Sequence, residues 1–186
     1  MKTIMVRSNE REEMVEITRE VEDLLAETVE THPVAETAAP RRQFAVVFRA
    51  FDDGVGFRYE VSDSGGLRDF EMMDELTEFT VADDARAWWI PANKPEPDRQ
   101  EILYSSGPVS RLDTVHTPLT LQTTSGLQVV IHEANLVDYA GMYLARTSPR
   151  TLRSTLARWA DGVAVRGRAP FVTPWRTIQL ADRPED

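Results

Sequence analysis

The chain has 186 residues, 41% of them apolar, enough for one domain with a substantial core. Its net charge of −10 disfavours nucleic acid, which needs a basic face, and is compatible with divalent cations or neutral ligands such as sugars. The absence of cysteine excludes disulfides, thiolate metal sites and a cysteine nucleophile, and no apolar run approaches the roughly 20 residues of a membrane helix.

The N-terminal stretch MKTIMVRSNEREEM has no long apolar core and no small-residue cleavage site, so it does not read as a signal peptide. Residues 9–31 carry Met14, Ile17, Val21, Leu24 and Thr28 at spacings of three and four behind a capping-box pair, Asn9 and Glu12. That pattern predicts an amphipathic helix; a strand over Leu24 to Val29 is the alternative. HPVAETAAPRR, residues 32–42, is a polar connector, which sets 1–42 apart from 43–186.

From Phe44 the pattern becomes β. FAVVFRAFDDGVGFRYEV predicts a hairpin turning at Asp53-Gly54. Phe44, Val46 and Phe48 share one face, and Val55, Phe57, Tyr59 and Val61 another. DSGG is the next turn. The acidic run DFEMMDELTEF reads as a solvated edge with Leu76 and Phe79 turned inward, and LTEFTVA as a short strand. AWWIPANKPEPDRQ opens apolar and becomes a proline-rich loop before a short strand at EILY. HTPLTLQTTSGLQVVIHEA predicts a hairpin turning at Thr124-Ser125-Gly126, and YAGMYLA a further strand. TLRSTLARW fits a strand or one helical turn. GVAVRG and FVTPWRTIQLA close the chain as two more strands. About nine strands on short turns describe a mostly β protein, an antiparallel β-sandwich with an N-terminal helical or mixed segment.

No glycine-rich phosphate loop, HExxH or GxSxG is present, and the three histidines show no metal-ligand spacing. Trp88 and Trp89 are candidates for stacking on a sugar, but adjacent strand residues face opposite ways, so at most one lines a given site. One core and one partly exposed tryptophan is the plainer reading, and Trp159 and Trp175 read as packing residues. Glu133 is the residue that stands out. In LQVVIHEA it shares the face of Leu127, Val129 and Ile131. A carboxylate on an apolar face is costly unless the strand end is open to water or something meets the charge.

Four stretches in order, FRAFDDGVGFRYEV, FEMMDELTEF, DTVHTPLTLQTTSGLQVVIHEANLVDYAGMYL and APFVTPWRTIQLAD, resemble the N-terminal domain of glycoside hydrolase family 97 over residues 43–183. The resemblance implies a galactose mutarotase-like supersandwich, here incomplete because the family's opening strands have no counterpart. Members are calcium-dependent α-glucosidases or α-galactosidases, typically exported, in which the sandwich packs on a catalytic (β/α)₈ barrel. In that family the sandwich lends a glutamate to the calcium ion beside the active site, and the match is Glu133. Asn93, in the loop after the paired tryptophans, is a second candidate ligand. Both carboxyl groups of glycoside hydrolysis belong to the barrel, so no catalytic residue is expected here. The expected partners are an α-glucoside or α-galactoside and the barrel, with neither nucleic acid nor a membrane. A stand-alone carbohydrate-binding module on Trp88 or Trp89, and a scaffold docking through the acidic 9–31 segment, are the rival readings.

Overall fold

The structure is a computed structural model that describes residues 34–36, 43–92 and 102–184. The expected helix at 9–31 and Asn93 lie outside the described residues. The strands are β1 (Val34–Glu36), β2 (Gln43–Phe51), β3 (Gly54–Val61), β4 (Asp69–Met72), β5 (Glu78–Thr80), β6 (Arg86–Trp89) and β7 (Ser105–Pro108). They continue as β8 (Thr114–His116), β9 (Leu119–Gln122), β10 (Gln128–Ala134), β11 (Met142–Ser148), β12 (Thr151–Leu156), β13 (Val165–Arg168), β14 (Phe171–Val172) and β15 (Trp175–Ala181). A nine-stranded sheet runs β1, β2, β3, β15, β10, β9, β6, β7, with β14 also paired to β3. A four-stranded sheet runs β5, β12, β11, β8, and β13 pairs with β4.

This is the expected antiparallel sandwich. Period-two alternation puts one face of each strand into a shared interior. Leu119, Leu121 and Ile131 of the large sheet are buried in one cluster with Phe79, Leu144 and Leu152 of the four-stranded sheet. Each such large side chain contributes roughly 1.5–3 kcal/mol of burial. A smaller cluster of Leu156, Ala164 and Val165, with Met72, Tyr139 and Phe171 packed against it, fills one end.

The β2–β3 hairpin forms as expected, with Phe48 opposite Phe57 and Val46 opposite Tyr59. Its loop, however, is Asp52-Asp53, and Gly54 already pairs with Phe51. The glycine is needed for another reason: a Cβ there would sit 2.2 Å from the Ile178 carbonyl oxygen, so only glycine lets β15 approach.

Several local expectations shift. Of EILY, the described residues Ile102, Leu103 and Tyr104 form no strand and are exposed, and pairing falls on Ser105–Pro108. The strand read over YAGMYLA begins three residues later, at Met142. TLRSTLARW resolves as β12 over Thr151–Leu156. FVTPWRTIQLA splits in two, because Pro174 has no N–H to give a ladder, while Thr173 ties the break to Tyr59 through both its N–H and its hydroxyl. Leu76, expected inside, is 71% exposed, whereas Glu75 and Thr77 turn inward with Phe79. Trp159, expected to pack, is 67% exposed.

Candidate functional site

Glu133 ends β10 on the inner face, and its charge is met. The register of β10 on β15 places Arg176 directly opposite it. Arg176 is fully buried, and its Nη1 donates to Glu133 Oε2 at 2.8 Å. The other carboxylate oxygen, Oε1, accepts the Met142 backbone N–H at 3.1 Å. The Glu133 side chain keeps 8% of its surface in contact with solvent.

The rest of the Arg176 fork is taken by Glu75, in the segment between β4 and β5. Nε donates to Oε1 at 2.9 Å and Nη2 to Oε2 at 2.6 Å. This bidentate geometry is the one a planar guanidinium is built for. Thr77 Oγ1 donates to Glu75 Oε1 and the Tyr139 hydroxyl to Oε2, at 2.8 and 3.0 Å. The Tyr59 hydroxyl reaches Thr77 Oγ1 at 2.7 Å, and the guanidinium carbon lies 5.6 Å from the centre of the Tyr139 ring.

The electrostatics follow from the geometry. Burial pushes the Glu75 carboxyl upward, but the hydrogen bonds and charge of Arg176, helped by Thr77 and Tyr139, outweigh it and hold Glu75 below its ordinary value. Burial works against the charged form of Arg176, and Glu75 and Glu133 more than compensate. Burial, then the Glu75 charge, pushes the Tyr139 hydroxyl up, so it stays a donor. Two carboxylates share one guanidinium, which leaves one negative charge in excess when both are ionised. The excess lies toward Glu133, the carboxylate at the edge.

Around that edge the surface is apolar. Leu76 follows Glu75, and Leu136 and Val137 lie in the turn between Glu133 and Tyr139; all three are exposed. Trp159 is also exposed, and its neighbour Arg158 pairs with Asp74, the residue before Glu75. Exposed large apolar side chains in segments that adjoin Glu75 and Glu133 along the chain are of the kind an interface uses.

A calcium ion takes roughly six to eight oxygens. An ionised carboxylate offers about four lone-pair positions; Arg176 and Met142 use two of Glu133's, so the residue still fits as one ligand. Among the described residues, no group of three or more His, Asp or Glu side chains could hold a metal. Glu133 does not make a metal site by itself among the described residues.

The tryptophans lie elsewhere. Trp89 packs against the main core. Trp88 is half-buried on the outer face of β6, under the Arg86 guanidinium at 5.1 Å, the opposite face of the sheet from Glu133. His116 is buried beside the Tyr143 ring, and His132 faces outward on β10. Sequence reading missed Arg176, Glu75 and Tyr139. The signal for Arg176 was present: in WRTIQLA it shares a face with Ile178, so two strands each carry one opposite charge on an apolar face.

The sequence profile of the glycosyl-hydrolase 97 N-terminal domain matches residues 4–186. This chain belongs to glycoside hydrolase family 97. The match reaches back through the N-terminal segment, well before residue 43, where the sequence motifs begin. A retaining alpha-galactosidase of Bacteroides thetaiotaomicron is 24% identical over 151 residues, covering 75% of this chain and 20% of that protein. A family 97 enzyme of Pseudoalteromonas sp. strain K8, solved in complex with acarbose, superposes with a TM-score of 0.72 at 36% identity, over 83% of this chain and 27% of that one. A variant of that enzyme was solved with panose. A beta-arabinopyranosidase shares the fold at a TM-score of 0.66 and 24% identity, over 77% of this chain and 26% of that one. The family 97 chain thus spans about a fifth to a quarter of the length of these relatives.

Proposed function

We propose that this family 97 domain is the β-sandwich of a calcium-dependent α-glycosidase acting on α-glucosides or α-galactosides. It supports the catalytic barrel, supplies Glu133 as one calcium ligand, and hydrolyses nothing alone. The observation that carries this reading is the Glu133 carboxylate at the end of β10, anchored by buried Arg176 and the Met142 N–H while 8% of its side chain still meets solvent. A carboxylate held this way is pre-oriented toward whatever meets its open edge, and its excess charge suits a cation. Calcium bound there would screen charge and hold substrate oxygens beside the barrel's carboxyl groups. This chain's own contribution is to fix the direction of Glu133.

Two measurements test it. The purified chain should show no turnover of nitrophenyl α-glucoside or α-galactoside, and activity that follows the protein through purification would contradict the reading. Joined to a family 97 barrel, the chain should bind calcium in a way that depends on Glu133. The rival, a stand-alone carbohydrate module on Trp88 or Trp89, loses Trp89 to the core and rests on Trp88 alone.

A further inference from the structure

The outer face of the large sheet carries a second feature, on the opposite side of the sheet from the Glu133 carboxylate. A cleft of about 260 Å³ opens between the ends of β2, β3 and β15, walled by Arg49, Phe51, Asp53, Trp175, Thr177 and Gln179. Its floor exists because β3 has no side chains there. Gly54 admits the β15 backbone, and a Cβ at Gly56 would press to 3.4 Å from the Trp175 ring. The Trp175 indole therefore lies over bare backbone, with the Arg49 and Arg58 guanidiniums 4.8 and 4.7 Å from its ring centre. Phe51 stands at the rim, 57% exposed, although it is a large aromatic at the end of a strand.

From this geometry we infer that the cleft is a binding site for a neutral sugar, on the opposite face of the sheet from Glu133. Stacking of an apolar ring face needs an aromatic wall, which exposed Phe51 supplies. Hydroxyl groups both donate and accept, so they need mixed partners. Asp53 accepts, and the Gln179 amide and Thr177 hydroxyl both donate and accept. An anion is disfavoured: Asp53 lines the wall, and Arg58 is paired to Glu60 at 2.6 Å. The volume is below the roughly 300–1,000 Å³ of sites that enclose a drug-sized ligand, so it accommodates one ring of an oligosaccharide whose remainder stays in solvent. The family 97 assignment enters only in the choice of probe sugars.

The test is isothermal titration calorimetry of the full chain with maltotriose and with raffinose. Phe51→Ala and Gln179→Ala are the informative variants, because both side chains are exposed and their loss leaves the core intact. Saturable binding of at least one sugar with a Kd of about 1 mM or tighter is expected, weakened roughly tenfold or more by each substitution, with both variants melting like the parent. No saturable binding of either sugar, or binding that survives either substitution unchanged, would overturn the inference. Phe51 takes no part in the Glu133 cluster, so loss of sugar binding here and loss of calcium binding at Glu133 are separate outcomes.

Discussion

Removing the Arg176 guanidinium, as in Arg176→Met, would leave Glu75 and Glu133 buried without their shared counter-charge. Breaking one side of a buried ion pair costs about 3–5 kcal/mol, so the variant should lose that much stability in urea titration. A loss under about 1 kcal/mol, the range of exposed pairs, would mean the pair is solvated. Glu75 also sets a pH dependence. Its folded-state pKa lies below the ordinary 4.5, so its contribution is complete above that value and is lost as pH falls through the folded one. The parent should therefore lose more stability on acidification below pH 4.5 than Glu75→Gln does, measured as urea midpoints at each pH. The carboxylates Asp69, Asp83 and Asp161, also held low by their partners, stay in both proteins and cancel in the comparison. At this scale the sequence showed Glu133 as anomalous but not what resolves it. Its partner is 43 residues away in the chain, and Glu75 is 101 away from Arg176. Such pairings are set by register, which a single sequence does not print.

Elements were more legible than residues, and the misses have a common cause. Hairpins with turn chemistry between alternating runs were visible, as in β2–β3 and β9–β10. Leu76 and Phe79 were both assigned inward on hydrophobicity, although residues three apart on a strand face opposite ways. The period puts Glu75 and Thr77 inward with Phe79, as the fold does. EILY was read from propensity, whereas Ser105–Pro108 becomes a strand because β6 offers it a ladder, the context dependence expected of β structure. The contrast is measurable by urea unfolding. Phe79→Ala, in the main core, should cost about 3–5 kcal/mol. Leu76→Ala, at the exposed rim, should stay within about 0.5 kcal/mol. Equal costs would contradict the inward face described for this segment.

At the scale of the molecule, the sandwich presents two surfaces with different chemistry. One end gathers the edge carboxylate and an apolar rim; the outer sheet face carries an aromatic cleft. These exposed apolar side chains, Leu76, Leu136, Val137 and Trp159, are fit for a protein partner because they lie outside the described cores. Trp159→Ser should leave the melting of this chain within about 0.5 kcal/mol of the parent. In a fusion to a family 97 barrel it should loosen the two parts, seen as two thermal transitions by calorimetry in place of one. A single transition retained by the variant would remove Trp159 from the interface.

The most direct test of the central claim is a calcium titration of that fusion by isothermal titration calorimetry, parent against Glu133→Gln, with folding checked by near-UV circular dichroism. If Glu133 is a calcium ligand, the substitution should weaken binding at least about tenfold, or roughly 1.4 kcal/mol, in a protein that remains folded. Unchanged calcium affinity in the folded variant would show that Arg176 alone accounts for the carboxylate at the end of β10.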